Sequence, residues 1–206
     1  MPGVLPVHAI HVDTVRRMDL TLLSRQMPAR MEKAYRYRLE RDRLLCIGAG
    51  LLLQRVLGIH DETELRAGAF GKPYAPGFPA FNLSHSGDWC ILATTENDIG
   101  TDIEEENEKH LSAAFAVFTP KELDWISSDP FTRFFILWTM KESLMKATGL
   151  GFEMQPQSVD VLPFLDHRPV YLHRQAWYAA TGAIPGYRFS VCGQTQIEAL
   201  EWLRYE

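Results

Sequence analysis

Apolar and polar positions recur with two different periods along this chain, and the switches between them mark its elements. From Pro28 the run PARMEKAYRYRLERDRLLCIGAGLLLQRVLG has helical spacing, basic first and apolar later, which predicts one or two helices. Gly48 and Gly50 interrupt the apolar part at a cost of about 1 kcal/mol each relative to alanine, so the pattern predicts a close neighbour there, a second helix. After the Gly/Pro-rich loop GAFGKPYAPGFP, the stretch AFNLSHSGDWCILATTENDIGTDIE alternates with period two. It predicts strands over 80–85, 89–95 and 99–104, joined as a three-stranded meander. The helical period returns in FTRFFILWTMKESLMKATG, an amphipathic helix from Phe131 to Thr148. VDVL, VYLHRQAWY, YRFSVCG and IEALEWL read as four further strands, the sheet of the second half of the chain.

Charge changes this picture at three places. Period two puts Asp102 and Glu104 on one strand face and Ile99, Thr101 and Ile103 on the other. In a meander the first and third strands run the same way, which brings Ser84 and His85 to the sheet edge that carries the two acids. Paired carboxylates repel unless a cation stands between them, and oxygen-only donors suit magnesium better than zinc. On the later helix, Phe131, Phe134, Phe135, Trp138 and Met145 project in one stripe with Glu142 near its middle. A salt bridge from Glu142 to Lys146 one turn on, worth about 0.3–0.5 kcal/mol when exposed, is too small to explain a charge in that place. A divalent cation shared with Asp102 and Glu104 explains it better, and Lys141 and Lys146 beside it would make a phosphate site. Arg30 and Lys33, three apart in the basic helix, share a face that is either solvated or grips a phosphate. Glu105 and Glu106 read as solvated surface.

Composition excludes other classes. A chain of 206 residues, 46% hydrophobic and 11% aromatic, buries a real core, and its net charge of −5 argues against general nucleic-acid binding. The start lacks the charged-then-apolar pattern of a signal peptide, and no apolar run is long enough to span a bilayer, so the expectation is a soluble, cytoplasmic monomer away from membranes. Cys46, Cys90 and Cys192 have neither disulfide nor zinc spacing and read as reduced core residues. His8 and His11 read as part of an N-terminal strand, and Trp89 and Trp125 as packing aromatics.

Taken together and in order, GKPY, FNLSHSG, IGTDIE, FTPKE and WTMKESLMK resemble the 4′-phosphopantetheinyl transferases of the surfactin-synthetase-activating type. The resemblance extends from Pro28 to the PGYRFSVC strand. It implies an α+β fold of two similar halves forming a pseudo-dimer, 1–103 and 104–206, each a small antiparallel sheet packed with a long helix, with the active site between them. It also implies transfer of the phosphopantetheine arm of coenzyme A to a serine of an apo-acyl or peptidyl carrier protein, with release of adenosine 3′,5′-bisphosphate. By position, Asp102, Glu104 and Glu142 match the magnesium ligands. Lys72, Ser84, His85, Lys141 and Lys146 match pyrophosphate and ribose-phosphate contacts, and Arg30 and Lys33 the pair that grips the 3′-phosphate. Glu122 stands where the family has an active-site glutamate, and the resemblance leaves Glu142, Glu122 or a water open as the base that takes the serine proton. Two positions depart from the pattern. Glu105 and Glu106 stand where the family has a basic residue, which either weakens steering of an acidic carrier or indicates an atypical carrier surface. Leu45 stands where it has a nucleotide-contacting arginine, for which Arg41 or Arg43 would substitute. A non-catalytic binder of the same ligands, and a magnesium-dependent phosphohydrolase using the same acids, are the other readings.

Overall fold

The computed structural model describes residues 3–111 and 115–206. Strand β1 (Val4–His11) leads into short helices α1 (Val12–Arg17), α2 (Thr21–Gln26) and α3 (Pro28–Tyr35), and then into α4 (Glu40–Leu52). The basic run thus forms two helices. Strands β2 (Arg66–Ala67) and β3 (Pro73–Tyr74) make a small ribbon before β4 (Ala80–Ser86), β5 (Trp89–Thr95) and β6 (Ile99–Glu105). Helices α5 (Pro120–Ile126) and α6 (Pro130–Thr148) precede β7 (Val170–Leu172), β8 (Gln175–Ile184), β9 (Tyr187–Gly193) and β10 (Ala199–Tyr205). Helix α6 starts on a proline, has its first turn capped by Asp129, which accepts from the Thr132 N–H at 3.2 Å, and stops at Gly149, left-handed at φ 71°.

Apart from the β2–β3 ribbon, the described strands fall into two four-stranded sheets, β10-β1-β5-β4 and β6-β9-β8-β7. Three expectations are corrected by this topology. Strand β6 is not the third strand of a meander: it leaves β5 and pairs antiparallel with β9, Asp102 opposite Ser190 and Glu104 opposite Arg188. Strand β10 does not join the second sheet but lies parallel to β1 in the first, and VDVL forms no strand. Strand β6 also runs whole through 103/104, the expected border between halves. The physical reason is shared burial. Ile99 and Ile103 of β6 and Phe189 and Val191 of β9 pack against Val7, Ala9, Ile91 and Ala93 of the first sheet, so the apolar faces of both sheets close one core.

Helix α4 covers the other face of the first sheet and α6 that of the second, each over its own apolar cluster. Gly50 meets the expected second helix, the stem of Arg30 from α3, whereas the nearest neighbour of Gly48 is Ile10 of strand β1, with Val15 of α1 next. Among the described residues no helix is long and apolar enough to cross a membrane. Cys46, Cys90 and Cys192 are buried free thiols.

Gly100 fixes how close α6 comes to β6. A Cβ there would lie 2.0 Å from the Ser143 carbonyl oxygen and 2.3 Å from the Ala147 N–H nitrogen. Both are helix backbone, so neither can swing away. Gly100→Ala is therefore expected to cost roughly 3 kcal/mol, at or above the upper end of ordinary overpacking, read as a lowered urea midpoint.

Candidate active site

Strands β4 and β6 are edge strands of different sheets, and they run side by side in the same direction without a backbone ladder. Side chains stitch them instead. Asn82 Oδ1 accepts from the Thr101 N–H at 2.9 Å, Ser84 Oγ from that of Ile103 at 3.4 Å, and Ser86 Oγ from that of Glu105 at 3.0 Å. The polar alternation of NLSHS is thus spent on the β6 backbone, and the intervening Leu83 and His85 face outward, lining cavities.

Along this seam the acids and one lysine meet. Asp102 is 3% exposed. Its Oδ1 accepts from Ser84 Oγ at 2.9 Å and from the Lys146 ammonium at 2.5 Å, while Oδ2 is buried without a hydrogen-bond partner. Burial raises the Asp102 pKa, outweighing the opposite pull of Lys146 and Ser84. Glu104 accepts from Ser86 Oγ at 3.0 Å and from the Trp138 indole at 3.3 Å, and burial and then the charge of Asp102 raise its pKa as well. Glu142 is half-buried, and its side chain makes no hydrogen bond or ion pair among the described residues. Burial first, then Asp102, push its carboxyl up to about 7 against the pull of Lys146. Burial works against the Lys146 ammonium, but Asp102 and then Glu142 and Glu104 hold its pKa above the usual lysine range.

Lys146 pairs with Asp102 across the seam, and the Glu142–Lys146 bridge that the sequence reading set aside does not form. Glu142 does not sit inside an aromatic core: Phe134, Phe135 and Met145 are buried, whereas Trp138 and Glu142 are only half-buried.

Glu122 and Lys141 stand apart from the seam. They form an ion pair at 2.9 Å with both side chains fully buried. Lys141 also donates to the carbonyls of Pro156 at 2.8 Å and Val159 at 2.5 Å. Glu122 accepts from the Thr119 N–H at 2.7 Å and that of Val161 at 2.9 Å. No face of either is left for a ligand. The signal was present in FTPKE, whose T-x-x-E spacing is a capping box that Thr119 and Glu122 complete at the start of α5.

Two cavities open beside the seam. One of about 230 Å³ is lined by Lys72, Asn82, Leu83 and Lys146, among others. Lys72 is half-buried, donates to the Ala147 carbonyl at 3.0 Å, and has its pKa lowered by burial. The other, of about 340 Å³, is lined by Arg30, Lys33, Tyr37, Asp42, Leu45, Cys46, Ala49 and His85. Arg30, Lys33 and His85 are thus brought together, although Arg30 is ion-paired with Glu62. Leu45 does line this cavity, while Arg43 is spent on the carbonyls of Tyr37 and Arg38 at 3.0 Å each. Ser84 is buried and bonded to Asp102 and Lys146, so it orients those groups rather than facing a cavity. Glu106 is not free surface charge: it pairs with Arg188 at 2.9 Å. Sequence reasoning missed Ser86, Trp138 and Glu62. An indole in an otherwise apolar stripe needs an acceptor, and that was the available signal for Trp138.

As the side chains stand, no group of three or more His, Cys, Asp or Glu among the described residues is arranged to hold a metal ion. The donor chemistry nevertheless fits a hard cation. Three mutually repelling carboxylates have raised pKa values, and of these three it is Asp102 whose Oδ2 is buried without a hydrogen-bond partner. In this arrangement Lys146 supplies the positive charge to Asp102.

A family model described as the 4′-phosphopantetheinyl transferase superfamily matches residues 98–192. Among curated proteins, the chain is 30% identical over 186 residues to 4′-phosphopantetheinyl transferase Sfp of Bacillus subtilis (strain 168), 80% of each chain. It is 29% identical over 205 residues to 4′-phosphopantetheinyl transferase ffp of Bacillus subtilis, 91% of this chain and 92% of that one. It is 38% identical over 104 residues to 4′-phosphopantetheinyl transferase gsp of Aneurinibacillus migulanus, where the match spans 48% of this chain and 44% of the relative.

Proposed function

We propose, from the premise that the chain belongs to the 4′-phosphopantetheinyl transferase superfamily, that it moves the 4′-phosphopantetheine arm of coenzyme A to a serine hydroxyl of an apo-carrier protein. The observation that carries this reading is the seam itself: Asp102, Glu104, Glu142 and Lys146 gathered beside a cavity that Lys72 and Lys146 line. Asp102, Glu104 and Glu142 are the residues that would hold magnesium, with Lys146 turning from Asp102 toward the ligand. Bound there, the ion would supply charge neutralisation at the pyrophosphate. Lys72 and Lys146 place their ammonium groups against the same phosphates, and Lys33, Arg30 and His85 face the 3′-phosphate. With Glu122 sealed in the core, Glu142, directly or through a water, takes the proton of the incoming serine. The serine oxygen–phosphorus bond forms as the bond within the pyrophosphate breaks, and adenosine 3′,5′-bisphosphate leaves.

The same reading takes the molecule as two similar halves, supported by a four-stranded sheet with one long helix on each side of the seam. It also takes the protein as a cytoplasmic monomer. Incubation with coenzyme A, magnesium and an apo-carrier is expected to add the mass of one phosphopantetheine arm to the carrier. Phosphate release without that gain would mean a phosphohydrolase, and neither product a binder.

A further inference from the structure

We propose that Glu62 is a positioning residue for Arg30, holding its guanidinium at the wall of the basic cavity ready for the 3′-phosphate of coenzyme A; this rests on the reading of that cavity given above. The stem of Arg30 leaves α3 and crosses α4 at Gly50, where a Cβ would lie 3.0 Å from its Cγ and 3.5 Å from its Cδ. Any larger residue would crowd that path. At its end the side chain is 8% exposed, with Nε ion-paired to Glu62 and Nη1 4.0 Å from Cys46 Sγ.

Glu62 comes from a turn that is itself fixed. Asp61 Oδ1 accepts from the Thr63 N–H at 2.9 Å, and Glu64 Oε1 accepts from the N–H groups of Asp61 at 2.9 Å and His60 at 3.0 Å. Arg30 lines the cavity and Glu62 does not. The carboxylate therefore grips the Nε edge from behind, leaving the Nη side of the fork for a ligand. An unanchored arginine must give up part of its rotamer entropy when it binds. An ion pair formed before the ligand arrives removes that loss from the binding step. Lys33 keeps the cavity attractive to an anion although Glu62 offsets one positive charge and Asp42 stands on the same wall.

The test compares coenzyme A with 3′-dephospho-coenzyme A as donor for wild type, Glu62→Ala and Glu62→Gln, with urea unfolding to confirm the fold. Glu62→Ala is expected to raise KM for coenzyme A about tenfold, with kcat and the KM for the dephospho donor unchanged. Glu62→Gln, which keeps an oxygen of the same reach beside Nε, is expected to recover most of that loss. A KM for coenzyme A that is unchanged or lower in Glu62→Ala, or that rises equally for both donors, would overturn the positioning role. Equal KM values for the two donors in wild type would instead overturn the 3′-phosphate reading of Arg30 and Lys33, and the inference with it. If Arg30→Ala weakens coenzyme A alone while Glu62→Ala does not, the cavity reading stands and the role of Glu62 falls.

Discussion

Glu142→Gln is expected to abolish transfer, by at least about a thousandfold in kcat, while making the ligand-free protein more stable at pH 8. The first effect follows from losing a cation ligand and proton acceptor in one atom change. The second follows from linkage. The Glu142 pKa is raised from 4.5 to about 7 in the fold. The folded state therefore binds this proton more tightly than the unfolded state does. Its stability is undiminished below pH 4.5, falls as the carboxyl ionises between there and pH 7, and stays reduced above. The shift corresponds to a penalty on the order of 2–3 kcal/mol for a half-buried group, and glutamine removes it. Urea unfolding at pH 5 and pH 8 reads the outcome: wild type should lose stability between the two relative to the variant. Equal pH slopes, or near wild-type turnover, would count against the arrangement.

Lys141→Met is expected to be the most destabilising single change, costing about 3–5 kcal/mol, because it leaves Glu122 as a buried carboxylate without its cation. The double variant Glu122→Gln, Lys141→Met should recover much of the loss, since the charge problem disappears while packing beside Phe118 remains. The sign of the coupling separates this core pair from a ligand contact. KM for coenzyme A, measured per folded molecule, should not move. A raised KM with unaltered urea midpoint would return Lys141 to the phosphate site.

Local pattern carried the elements well: 80–85, 89–95 and 99–104 became Ala80–Ser86, Trp89–Thr95 and Ile99–Glu105, and the long helix began at Pro130 rather than Phe131. Period two also placed Asp102 and Glu104 correctly on one side, because side-chain alternation is a property of a single strand. It could not choose the partner of β6. Pairing with β9 joins residues 99–105 to 187–193, and a neighbouring strand looks equally suitable until the apolar faces of both sheets must be covered together.

The sequence alone determined the family resemblance, the α+β elements and the shared strand face of Asp102 and Glu104, since motif order and side-chain alternation are read along the chain itself. Only the tertiary structure decided which charges are spent on the fold and which remain for chemistry. Glu122 and Lys141 cancel each other in the core, Glu106 pairs with Arg188, and Lys146 reaches over to Asp102. A buried charge takes whatever counter-charge the packing brings within reach, and for Lys146 that neighbour is set by the closeness of α6 to β6 at Gly100, not by distance along the chain.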